Sequence, residues 1–318
     1  MDTRRVTLVD AFAREPLTGN PAGVVPDGDG LSEGQMQAVA RELNASETAF
    51  VLDSGTADRR IRYFTPRTEV DLCGHATIGA FAHLHRAGTI DPGTSSLETN
   101  VGTLEIELES DGTVWMTQDH PTVRTVDLGA EAVAEILSID PVAIEEVTME
   151  LPLAVASTGL EFLIVPITYL EHLGAIEVDD EAIEECCDRV DAAGLFAFTF
   201  DALAVDATVH ARCFAPGLGI SEDPVTGTAS GALGAYLDRF DAFGGETVGE
   251  AANEIDNPSG ADGETPAELV LEQGHFVDRP GRVRIEPGPP VRVGGTGVVS
   301  LEGSIAVPTA RTDDIIEV

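Results

Sequence analysis

The chain has 318 residues, 43% of them hydrophobic, enough for two domains with cores of their own, and no apolar run reaches the length of a bilayer. It carries 56 acidic against 18 basic residues, a formal net charge of −38, and all of the basic residues are arginine. So acidic a surface leaves no phosphate-binding face, which excludes nucleic acid as a partner.

The excess charge runs through both halves. That fits a surface adapted to a high-salt cytoplasm better than a patch made for one basic partner, because salt screens the self-repulsion over short distances. The opening residues lead into a strand and not into a signal-peptide core, so the cytoplasm is the expected location. Four cysteines occur, Cys73, Cys186, Cys187 and Cys213, with the spacing of neither a disulfide framework nor a zinc ribbon. Three read as ordinary buried thiols; Cys73 falls in a motif.

Val6 to Phe12 reads as a strand, and Leu17-Thr18-Gly19-Asn20-Pro21-Ala22-Gly23 as a turn in which Asn20, taken alone, is a turn residue. Ser32 to Leu43 reads as a helix with Ser32 as its N-cap. Ser46 to Leu52 returns to strand character, and Glu47 shares a face with Ala49 and Val51 on a period of two. An inward carboxylate there is partly desolvated, the setting of a general acid/base; an edge glutamate would merely point to solvent. A strand from Arg60 to Phe64 and a turn at Thr65-Pro66-Arg67 then lead to Asp71-Leu72-Cys73-Gly74-His75-Ala76-Thr77. The small and apolar run Ala76 to Leu84 reads as a helix. Its N-terminus offers N–H groups and partial positive charge to an anionic substrate group.

Strands and turns continue from Leu97 to Met116, and the polar, proline-ended Gln118-Asp119-His120-Pro121 marks a domain boundary. The expected domains are 1–118, completed by strands from 290–318, and 119–289. Within the second, Glu131–Leu137, Ile139–Glu146 and Val178–Val190 read as helices, and Glu161–Ile167, Gly194–Phe200 and Ala207–Phe214 as strands. Glu222-Asp223-Pro224-Val225-Thr226-Gly227-Thr228-Ala229 forms a second strand-to-helix junction. Pro224 suits the first turn of its helix, and Asp223 reads either as a capping carboxylate or as a functional group. Gly244 to Ala267 is an acidic surface insertion without chemistry. Leu269–Glu272, Arg282–Glu286, Val291–Val293 and Val298–Ile305 read as closing strands. Gly294-Gly295-Thr296-Gly297 lacks the spacing of a dinucleotide or phosphate loop and reads as a hairpin turn. No metal-ligand spacing or Gly-x-Ser-x-Gly elbow occurs.

The two junctions repeat each other. Gly74-His75-Ala76-Thr77 matches Gly227-Thr228-Ala229-Ser230 at an offset of 227 − 74 = 153, and Ala82-His83-Leu84 matches Ala235-Tyr236-Leu237 at the same offset. Upstream, Arg62-Tyr63-Phe64-Thr65-Pro66 echoes Arg212-Cys213-Phe214-Ala215-Pro216. Copies half a chain apart imply two similar halves, each with a glycine-opened helix.

These segments, with Asp10-Ala11-Phe12, Gly19-Asn20-Pro21-Ala22-Gly23, Ser46-Glu47-Thr48-Ala49-Phe50, Gln273-Gly274 and Leu301-Glu302-Gly303, resemble the PhzF-like isomerases of the diaminopimelate epimerase superfamily. The resemblance implies an α+β fold of two pseudo-symmetric domains, each a curved sheet around a central helix, with the active site between them. It implies cofactor-independent proton transfer on a small carboxylate substrate, and a homodimer. The position of Glu47 is that of the family's acid/base, which takes a proton from one carbon and returns one elsewhere. His75 and Asp223 fall at the assisting positions. Asn20, Ser46, Cys73, Gly74, Gly227 and Thr228 fall at substrate-binding positions, with Thr228 where serine is common.

Two other readings stand beside the proton shuttle. An amino-acid epimerase of the same superfamily uses two facing thiols; Cys73 supplies one, but the second junction offers Glu222 and Asp223. A non-catalytic member would bind a small acid or a protein. The residues do not fix the substrate, since motif analogy does not reach that far.

Overall fold

The computed structural model describes residues 2–148, 150–244 and 265–309. In chain order the elements are β1 (Asp2–Ala11), β2 (Asn20–Val25), α1 (Glu33–Leu43), β3 (Glu47–Leu52), β4 (Arg59–Phe64), β5 (Glu69–Val70), α2 (Gly74–Arg86), β6 (Gly93–Thr99), β7 (Gly102–Leu108) and β8 (Val114–Thr117). There follow β9 (Thr122–Thr125), α3 (Ala130–Ile136), α4 (Val142–Thr148), β10 (Ala154–Ser157), β11 (Glu161–Pro166), α5 (Leu170–Gly174), α6 (Asp180–Asp188), β12 (Gly194–Thr199), β13 (Val209–Ala215) and β14 (Ile220–Asp223). The last are α7 (Gly227–Arg239), β15 (Leu269–Gln273), β16 (Gly281–Glu286), β17 (Arg292–Gly295) and β18 (Gly297–Val307). Most of the acidic insertion expected at Gly244–Ala267 lies outside the described residues, as do residues 310–318 of the expected closing segment.

The chain divides into two compact units. One joins the residues up to Met116 to those from Gly295 onward; the other is Thr117–Gly294. In the first unit the strands run in the order β18–β1–β2–β3–β4–β6–β7–β8, with β5 laid on β4. The β2–β3 and β4–β6 pairs are parallel and the others antiparallel. In the second the order is β9–β10–β11–β12–β13–β15–β16–β17, with β14 laid on β13; β11–β12 and β13–β15 are parallel. The two lists correspond strand for strand and sense for sense, so the repeat seen in the sequence extends to the whole topology.

Each unit surrounds one helix. The helix α2 packs on β1, β2, β3 and β18, and Ala76 through Ala82, with Leu84, are all buried. In α7, which packs on β9, β10, β11 and β16, every residue from Ala229 to Leu237 is buried. A helix covered on all sides needs small residues where backbones approach. At Gly234 a Cβ would stand 2.7 Å from the Ile285 Cγ2, and at Gly297 one would stand 2.7 Å from the Ala82 Cβ. Both glycines therefore let a strand come close to the central helix.

Local chemistry sets the shorter elements. Ser32 caps α1 in a capping box with Gln35, each side chain accepting from the other's backbone N–H. Two expectations need correction. The helix at the second junction begins at Gly227 with Thr226 as N-cap, so Pro224 lies outside it, after β14. The stretch Gly294–Gly297 is no hairpin: β17 pairs with β16 in one unit and β18 pairs with β1 in the other, so the chain changes unit there.

Candidate active site

In the first unit, the parallel pairing of β2 with β3 places Ala22 opposite Glu47. This brings the start of β2 beside the start of β3, and Ser46 Oγ donates to the Pro21 carbonyl at 3.1 Å. The preceding Asn20 is buried as the first residue of β2, paired with Ala11 of β1. Gly19 makes this approach possible: its φ is +60°, and a side chain there would collide with the Ala11 carbonyl.

The start of α2 faces the same place. Cys73 is its N-cap residue, with an extended backbone (φ −142°, ψ 115°). His75 Nε2 lies 3.2 Å from Glu47 Oε2 and 3.1 Å from Ser46 Oγ, and His75 Nδ1 lies 3.4 Å from Cys73 Sγ. The Ser46 hydroxyl spends its proton on Pro21, so it accepts from Nε2–H, as Glu47 does. That leaves Nδ1 as the acceptor for the Cys73 thiol. The tautomer follows from this network. Glu47 and His75 keep 19% and 14% of their side-chain surface, so the pair is largely shielded yet reachable. Gly74 has open space where a side chain would project, with nothing within 4 Å. The N–H groups of this first turn lack partners within the helix by construction and give it a partial positive charge.

Behind the junction, Thr77 Oγ1 donates to the Cys73 carbonyl at 2.8 Å and lies 2.6 Å from the hydroxyl of buried Tyr63. Burial drives the Tyr63 pKa far above the usual phenol range, so it stays neutral.

The second unit has the equivalent junction with different chemistry. Thr226 is the N-cap residue of α7, extended like Cys73 (φ −116°, ψ 96°), and Ser230 Oγ donates to its carbonyl at 2.8 Å, as Thr77 does to Cys73. Asp223 ends β14, and its Oδ2 accepts from Thr226 Oγ1 at 2.5 Å. Gln273, fully buried at the end of β15, accepts from Thr226 N–H at 3.0 Å and donates to the Asp223 carbonyl at 2.8 Å and to Thr226 Oγ1 at 3.2 Å. Asp223 stands opposite buried Cys213, whose thiol is pushed well above its usual range by burial first and by the Asp223 charge second. Gly227 and Thr228 occupy the first turn of α7, and the Thr228 carbonyl accepts from Thr158 Oγ1 at 3.2 Å.

A further pair of side chains follows the repeat. Arg62 lies over the Phe64 ring at 5.2 Å and bridges to Glu69 at 2.6 Å; Arg212 lies over the Phe214 ring at 4.9 Å and bridges to Glu222 at 2.7 Å. Glu69 and Glu222 are 222 − 69 = 153 residues apart, the offset of the helix junctions. Each bridge clamps the short strand before its junction, β5 or β14. Glu222 is thus engaged by Arg212.

Of the residues singled out by sequence, Ser46, Glu47, Cys73 and His75 come together beside Gly74 in one unit, with Asn20 next to the Pro21 that holds Ser46. Asp223, Gly227 and Thr228 flank Thr226 in the other. Thr226 and Gln273 had not been singled out as site residues. Gln273 carries no local signal: it follows Glu272 at the polar end of the strand Leu269–Gln273. Cys186 and Cys187 are buried, and only Cys73 of the four thiols is partly exposed.

Comparison with known proteins bears on this arrangement. Residues 9–303 match the family model described as phenazine biosynthesis-like protein, PhzC-PhzF. The chain is 34% identical over 316 residues to the uncharacterized isomerase YfhB of Bacillus subtilis (strain 168), covering 98% of this chain and 99% of that protein. It is 34% identical over 235 residues to trans-2,3-dihydro-3-hydroxyanthranilate isomerase of Pseudomonas chlororaphis, covering 73% and 79%. The crystal structure of the PhzF-family protein of Bacillus anthracis aligns with a TM-score of 0.81 at 30% identity, over 96% of this chain and 100% of that one. The chain therefore belongs to the phenazine biosynthesis-like family, PhzC-PhzF, as an isomerase with the α+β, diaminopimelate-epimerase-like fold.

Proposed function

We propose that the protein moves a proton between carbons of a small carboxylate-bearing substrate, with Glu47 as the acid/base and no cofactor. The observation that carries this reading is the position of Glu47, 3.2 Å from His75 Nε2 and beside the open start of α2. Removing a proton from carbon builds negative charge that must spread into the substrate's carboxylate. Fixed N–H dipoles at a helix start are suited to hold that charge. Glu47 takes the proton and returns it to another carbon, while His75 orients it and Ser46, tied to Pro21, keeps the imidazole in place. Asp223, supported by Thr226 and Gln273, is the second proton-handling group, and Gly74, Gly227 and Thr228 supply carboxylate contacts with Asn20 and Cys73. The anthranilate-type substrate in the name of the Pseudomonas chlororaphis relative is a carboxylate, which supports this class without fixing the compound.

Two-thiol epimerase chemistry is less well supported. The counterpart of Cys73 in the second unit is Thr226, and the nearby thiol, Cys213, is fully buried. A soluble homodimer working in a salt-rich cytoplasm belongs to the same proposal; among the described residues no helix is long and apolar enough to cross a membrane.

The test is solvent-deuterium incorporation, read by NMR, on a panel of unsaturated and hydroxylated carboxylates in concentrated salt. Wild type is expected to incorporate deuterium into one class of compound. In Glu47→Gln the rate is expected to fall by about 10²-fold or more, the usual worth of a positioned acid/base. Exchange at an undiminished rate in Glu47→Gln would remove the proposed base.

A further inference from the structure

The same three side chains suggest something that proton transfer does not require. Glu47, Cys73 and His75 each offer one ligand atom, and these atoms all lie within 4.8 Å of one another; among the described residues no other group of three histidine, cysteine or acidic side chains does this. We propose that they form a binding site for a single thiophilic divalent cation, zinc above all, and that its occupation shuts off the isomerase site.

The geometry is close to what zinc needs. Bonds of about 2.0–2.2 Å to nitrogen and oxygen and about 2.3 Å to sulfur give tetrahedral edges of about 3.3 Å for nitrogen–oxygen and about 3.6 Å for nitrogen–sulfur. His75 Nε2 stands 3.2 Å from Glu47 Oε2 and 3.9 Å from Cys73 Sγ, close to those edges, while the Glu47–Cys73 edge, within 4.8 Å, closes only when the thiol turns from the Nδ1 side of the ring toward Nε2. The donor set is sulfur, nitrogen and oxygen, which selects zinc over magnesium or calcium. Its charge is also right. A thiolate and a carboxylate together balance a dication. Three protein ligands leave a fourth position of the tetrahedron for water. All three ligands come from one unit, at the two strand-to-helix and strand-start positions that the fold already fixes.

The site itself stands on this geometry; that occupation inhibits rests on the proton-transfer reading above, since a cation on Glu47 Oε2 takes the lone pair that would accept the proton. Binding also requires loss of the thiol proton and a shift of the His75 proton from Nε2 to Nδ1, so it releases a proton to the buffer.

The test uses the full-length chain, stripped with chelator and kept in molar potassium chloride, which suppresses loose binding to the acidic surface. Cobalt(II) serves as the spectroscopic probe and zinc as its competitor. One cobalt per chain is expected, with a thiolate-to-cobalt charge-transfer band displaced by one equivalent of zinc. The band is expected to vanish in Cys73→Ser and to persist in the Cys186→Ser/Cys187→Ser double variant. Zinc affinity is expected to fall by about tenfold or more in Cys73→Ser and in Glu47→Gln, since even outer partners of a metal site are worth that much. Near-ultraviolet circular dichroism checks that each variant is folded. Absence of the band in wild type, or an unaltered affinity in both folded variants, would overturn the site. Deuterium exchange is measured in parallel: exchange that falls with zinc occupancy supports the regulation, and exchange unchanged at saturation overturns it. A full cobalt spectrum in a protein that exchanges no substrate would leave the metal site standing and sink the proton-transfer reading instead.

Discussion

The hydroxyl of Thr226 is the hinge of the second junction. It accepts from the buried Gln273 amide and donates to the Asp223 carboxylate, so it fixes that carboxylate to the end of β15. Thr226→Val keeps the shape and deletes both hydrogen bonds. Stability is expected to fall by about 2 kcal/mol, at about 1 kcal/mol for each bond. If Asp223 handles protons, kcat for deuterium exchange should fall about tenfold with KM little altered, and Thr226→Ser should restore it; a purely structural role would leave kcat near wild type. At this scale the sequence was partly legible. Ser46, Glu47, Cys73 and His75 all sit on one motif-bearing stretch or at one strand start, where local order announces chemistry. Gln273 is a residue of another strand whose role exists only because β15 lies parallel to β13. Nothing local distinguishes it from any amide at a strand end.

Among the elements, each central helix depends on a glycine where a strand approaches it. Gly234 of α7 would place a Cβ 2.7 Å from the Ile285 branch methyl, on a buried strand with no freedom to yield. Overpacking of this kind costs about 1–3 kcal/mol, against a gain of about 1 kcal/mol from replacing glycine within a helix. Gly234→Ala is therefore expected to lower the denaturant midpoint by the equivalent of about 1 kcal/mol; a rise would show that α7 is not held against β16 as described. Elements were legible where capping and short-range repetition define them: α1 through Ser32, α2 and α7 through Gly-His-Ala-Thr and Gly-Thr-Ala-Ser. They were not where long-range pairing decides. The glycines of Gly294–Gly297 have the composition of a turn, but the strands on either side pair within different units. Likewise Pro224 has the chemistry of a first helical turn, yet β14 is held on β13 by the Arg212–Glu222 bridge, and the helix waits until Gly227.

For the molecule as a whole, charge is the dominant unbalanced quantity. Even if each of the 18 arginines engaged one carboxylate, 56 − 18 = 38 would remain. At about 0.1 M salt the screening length is near 10 Å, and at 1 M near 3 Å, so self-repulsion among those carboxylates fades only in concentrated salt. The thermal midpoint is expected to climb steadily from about 0.1 to 3 M potassium chloride, in scanning calorimetry at constant pH. A flat profile would show that the acidic surface has another purpose. A different consequence follows from the exchange of outer strands. The first unit is closed by β18, which pairs with β1 over ten residues from Asp2–Val307 to Ala11–Gly297, and β18 is translated only after the entire second unit. During synthesis on the ribosome, the second unit has all of its strands as soon as β17 emerges, while the first must hold β1 and one side of α2 uncovered. The half made first is thus finished last. A nascent chain arrested before Gly297 would present to chaperones the edge of β1 that β18 otherwise covers.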